Sequence, residues 1–128
     1  MVSWLFRVSV LLGLFGMALG IAMGIRQDFA LAPAHAHINL LGFVALFLAA
    51  LYYRVVPEAA AGVLAKVQAA AAMVGALLFP AGIASVLLGD HARFMPIVVT
   101  GAIIVFIGML LFVVIVFRTS GVNRTVAP

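Results

Sequence analysis

The chain has 128 residues, 68% of them hydrophobic and 8% charged, with a formal net charge of +4. That balance excludes a soluble globular domain and leads to an integral membrane protein, expected as a single transmembrane domain over residues 1–128. The basic residues stand singly between apolar runs, which argues against nucleic acid as a partner, and the absence of cysteine excludes disulfides, thiolate metal sites and covalent c-type haem attachment.

Four apolar stretches are long enough to cross about 30 Å of hydrocarbon as helices, at about 4–25, 34–56, 62–88 and 94–117. Long, unalternating runs favour helices over barrel strands, so the fold class expected is all-α, an integral membrane four-transmembrane-helix bundle. The first stretch has Arg7 ahead of its apolar run but no clean small-residue cleavage site, so it is expected to be retained as a span. Its Gly16-x-x-x-Gly20-x-x-x-Gly24 pattern offers a groove for a neighbouring helix. Arg26-Gln27-Asp28 and Pro33 punctuate the chain before the second span, and Pro57-Glu58 ends it.

The third span carries the Ala69–Ala72 run, a surface for close helix approach, and Pro80, whose missing amide donor predicts a bend. Gly89-Asp90-His91 is expected as a loop before the fourth span. Arg7, Arg54, Lys66, Arg118 and Arg124 fall on one side of such a bundle, and Arg26 and Arg93 on the other. The bias predicts both termini in the cytoplasm, and in a bacterium an inner-membrane protein with its histidines towards the periplasm. Trp4, Tyr52 and Tyr53 are expected as interfacial anchors, and the methionines as packing or lipid-facing residues.

Ionisable side chains are costly in hydrocarbon, so His35 and His37, at the start of the second span, are the first candidates for chemistry. Pro33 suits the first turn of a helix, and two helical steps rotate a side chain by about 200°, which sends the rings to opposite faces. An extended segment would instead place both rings on one side and permit a shared zinc or copper ion. Asn39 and Gly42 lie below His35, where the glycine leaves room for a flat ring, and Leu41, Val44 and Leu48 form an apolar wall below His37. Both faces suit a haem macrocycle.

His91 is a candidate second axial or copper ligand, or a solvated loop residue. Asp90 is a candidate to orient its ring, and Arg93 and Arg26 are candidates for a haem propionate. No paired carboxylates, nucleophilic triad or phosphate loop is apparent.

The pattern His35-x-His37, Leu41-Gly42-Phe43, Leu51-Tyr52-Tyr53 and Pro57 resembles the tenth helix of haem-copper oxidase catalytic subunits, closest to C-type oxygen reductases and nitric oxide reductases. The resemblance covers this one helix. It implies haem b, with His35 as the ligand of a high-spin haem and His37 as a ligand of a low-spin haem.

The family's copper centre uses three further histidines, and its low-spin haem a second axial one. This chain has only His91 to spare. The resemblance therefore implies electron transfer, or O2 or NO chemistry or sensing, with a respiratory redox partner, rather than the whole oxygen-reducing mechanism. The family's twelve helices form three arcs of four, which implies a homotrimer here, with haem near subunit interfaces. Two other classes fit the residues: a non-haem copper or zinc protein using His35, His37 and His91, and a structural or assembly subunit of a respiratory complex.

Overall fold

The structure, a computed structural model, describes residues 1–120. Four helices are long and apolar enough to cross a membrane: α1 (Val2–Arg26), α2 (Ala32–Val55), α3 (Val63–Leu88) and α4 (His91–Thr119). A single helical turn, Pro57–Ala60, joins α2 to α3. Arg124, counted in the charge bias, lies outside the described residues.

Short connections force an up-and-down order, and the contacts follow it. α1 packs on α2, α2 on α3, and α3 and α4 form the most extensive pair. The ends therefore differ. One, the histidine end, holds the α1–α2 and α3–α4 connections, and the other, the basic end, holds Arg7, Arg54, Lys66 and Arg118.

Small residues determine where helices meet. Gly75 and Gly82 of α3 face Val105 and Val98 of α4, while Gly101 and Gly108 of α4 face Phe79 and the Ala71–Ala72 backbone. Hydrocarbon gives no hydrophobic drive for helices to associate, so this close backbone approach supplies the dispersion contacts that hold the hairpin. The Ala69–Ala72 run behaves as its composition predicts, with Ala69 buried. Pro80 sits inside α3, buried, and the helix runs on to Leu88. The core concentrates towards the basic end, where Leu5, Leu46, Ala50, Tyr53, Ala65 and Ala69 cluster.

α2 is not a uniform α-helix. Residues Ile38–Ala45 form a π-helix between α-helical segments Ala32–His37 and Leu46–Val55. In a regular α-helix a four-residue step overshoots a turn by about 40°, and the wider π turn offsets that drift. His35, Asn39 and Phe43 consequently stay in one row, facing Gly20, Gly16 and Gly13 of α1 in antiparallel order. The predicted groove is used at Gly16 and Gly20 and extends to Gly13. At Gly24 no described residue outside its own stretch of helix lies within 4 Å of where a Cβ would stand.

Candidate functional site

The histidine segment is helical, which removes the extended alternative and divides the two rings between neighbours. His35 turns to α1: its Nδ1 lies 2.9 Å from the Gly16 carbonyl. A carbonyl only accepts, so Nδ1 donates this hydrogen bond. The Asn39 amide nitrogen lies 3.4 Å from the ring's Nε2 and donates to the His35 carbonyl oxygen at 3.0 Å. Gly20 gives the ring its seat, since a Cβ there would stand 2.8 Å from His35 Cε1.

His37 turns the other way. Its Nδ1 donates to the Pro33 carbonyl one turn earlier at 2.7 Å. The ring meets Phe79 of α3 edge-on, with centroids 4.8 Å apart and planes at 77°. Both imidazoles thus have Nδ1–H tied to a backbone carbonyl. Metal-ligating histidines adopt this arrangement, because the second-shell acceptor fixes tautomer and ring angle.

Several expectations change. The room expected over Gly42 is filled: Leu12 of α1 packs there, and a Cβ on Gly42 would stand 2.9 Å from its Cδ1. The face below His35 is therefore helix-packing surface, with Leu46 and Ala49 also buried. His91 is the first residue of α4, not a loop residue, and it is exposed. Asp90 does not orient its ring. The Asp90 carboxylate accepts from the Ala92 and Arg93 amides at 2.9 and 3.3 Å, satisfying donors that every helix start leaves free. Arg93 places its guanidinium 5.6 Å from the Phe94 ring centre, and Arg26 is exposed at the end of α1.

Tyr53 is no interfacial anchor. It is 1% exposed and donates to Gln68 Oε1 at 2.8 Å. Tyr52 shares a 2.7 Å hydrogen bond with Thr119. Gln68 is the residue that sequence reading passed over, although an amide within an apolar span is itself a signal, because such groups need partners in hydrocarbon.

Leu41, Val44 and Leu48 do form an apolar wall. With Gln68 and Ala72 of α3 and Gly108, Met109 and Phe112 of α4 they line an open groove of about 400 Å³, and His37 is not among its lining residues. Among the described residues no three of His, Cys, Asp and Glu come together as a metal-binding group.

Comparison with known protein families, with curated proteins and with solved structures returns no match for this chain.

Proposed function

We propose that the protein is a haem b-binding membrane protein in which His37 would hold the iron, serving electron transfer or the chemistry or sensing of O2 or NO. One observation carries the reading: two imidazoles on opposite faces of one membrane helix, each with Nδ1–H bonded to a backbone carbonyl. The H-x-H pattern that resembles the ligand helix of haem-copper oxidases supports it.

The donor chemistry fits haem at His37. The ring is half-buried, its Nδ1 is held by the Pro33 carbonyl, and Phe79 meets it edge-on from the α3 side. At His35 the surroundings belong to α1: Gly20 lies under the ring and Leu12 covers Gly42. His35 and Asn39 accordingly act as the clasp between α1 and α2, and iron on that side would have to displace the clasp.

A bound haem would supply one-electron transfer or an open iron position for a diatomic gas. The protein's part is to orient the imidazole and to surround it with lipid-compatible side chains. A neighbouring copy in a homotrimer would complete the surface on which the half-exposed His37 ring opens. Copper or zinc shared among His35, His37 and His91 is the weaker reading, since α2 sends the first two rings to different neighbours. The excess of cations at one end supports an inner-membrane orientation with both termini cytoplasmic.

The test is the visible spectrum of detergent-purified protein expressed with a haem precursor. His37→Ala is expected to abolish the Soret band, and His35→Ala to retain it while weakening the fold. Full haem content in His37→Ala would overturn the assignment.

A further inference from the structure

The groove between α2, α3 and α4 lies outside the haem reading and has its own chemistry. Its walls are apolar and its sides face the surrounding lipid, with Leu40, Leu48 and Met109 each more than half exposed. One lining residue is polar. Gln68 is only 3% exposed, and its Oε1 accepts from Tyr53, while its amide nitrogen has no acceptor among the described residues. Every fully sealed side-chain polar atom among those residues is paired, so the unpaired nitrogen is one that the groove still reaches.

A buried amide donor with no protein acceptor calls for an acceptor on whatever fills the groove. Water is a poor candidate, because an apolar cleft offers it too few partners. The position of Gln68 narrows the choice. It stands five residues after Val63, about 7.5 Å along α3 from the basic end, which is a depth for ester carbonyls rather than for the hydrocarbon midplane. Beyond it, that end carries Arg7, Arg54, Lys66 and Arg118 against one described carboxylate, Glu58. Basic residues at such a helix junction attract anionic headgroups.

We infer that this groove seats one anionic phospholipid. An acyl chain lies along Leu41, Val44 and Met109, an ester carbonyl accepts from the Gln68 amide, and the phosphate meets the cations of the basic end.

Native mass spectrometry of the full chain, titrated with phosphatidylglycerol or with phosphatidylcholine bearing the same acyl chains, tests the inference. One retained phosphatidylglycerol per protomer is expected, preferred over phosphatidylcholine by roughly fivefold for each cation engaged. Arg54→Gln with Arg118→Gln, at the basic ends of the two other helices that line the groove, should remove the preference while leaving a bound lipid. Met109→Trp, at an exposed position on the groove lip, should block both lipids with helicity unchanged. The double variant Tyr53→Phe, Gln68→Leu, which removes donor and partner together, should lower retention of both.

Equal retention of the two lipids by the unmodified protein would overturn the proposal, as would adducts that survive Met109→Trp, or a neutral quinone captured in their place. Lipid retention is read equally in colourless protein, so failure of the haem reading leaves this result intact.

Discussion

Gly101→Ala tests the packing that positions the candidate ligand. A Cβ at this position would stand 2.7 Å from Phe79 Cα and 2.8 Å from Phe79 N. Those are backbone atoms of α3 and cannot rotate aside, and ordinary carbon contacts lie at about 3.5–4.0 Å, so α3 and α4 must part by about 1 Å. A gap of that size forfeits a quarter to a half of each contact's attraction along the seam.

Overpacking of this kind costs about 1–3 kcal/mol, and a backbone clash belongs at the upper end. Alanine's better helix propensity returns about 1 kcal/mol, leaving a net loss of about 2 kcal/mol. Gly24→Ala is the control. Among the described residues no atom outside its own stretch of helix lies within 4 Å of its added Cβ, so only the propensity gain of up to about 1 kcal/mol remains.

The assay is a denaturing-detergent titration of both variants, followed by far-ultraviolet circular dichroism. The midpoints should move in opposite directions. Because the clash falls on the backbone of Phe79, whose ring meets His37, the Gly101 variant should also disturb the environment of His37. A Gly101→Ala protein as stable as Gly24→Ala would refute the seam, and with it the account of how α4 supports the site.

Gly20→Ala should drive the His35 ring from its seat, costing about 1–2 kcal/mol in the same titration while leaving the His37–Phe79 contact in place. Asp90→Ala should cost about 1 kcal/mol by removing the α4 cap, with Asp90→Asn largely retaining it, as read by thermal unfolding. Tyr53→Phe alone leaves Gln68 Oε1 without its donor and should cost about 1–3 kcal/mol, much of which the added Gln68→Leu change should restore.

The spans were legible because hydropathy and helix length together decide what crosses a bilayer, and the predicted limits differ from the structure by a few residues at most. The division of His35 and His37 between opposite faces was equally legible, since it needs only helical geometry after Pro33. The use of those faces was not. Gly42 reads as open space in sequence, yet Leu12 fills it, because a span's inward face depends on which neighbour packs there.

The π segment at Ile38–Ala45 leaves no mark in hydropathy, and it is what keeps His35, Asn39 and Phe43 in register with the α1 glycines. Tyr53 looked like an interfacial anchor for a similar reason. Its partner Gln68 lies on another helix, and only the α2–α3 turn brings the two together. Asp90 was paired by proximity in sequence with His91, whereas the free amides of a helix start are the stronger claim on its carboxylate.

The most direct measurement of the central claim is porphyrin-bound iron in the purified protein, combined with rescue of His37→Gly by added imidazole. Haem b is expected in the unmodified protein, with its loss in the variant and its return when free imidazole occupies the vacated position. Protein that remains colourless despite a supplied haem precursor, or a His37→Gly variant that retains its haem without imidazole, would contradict that claim.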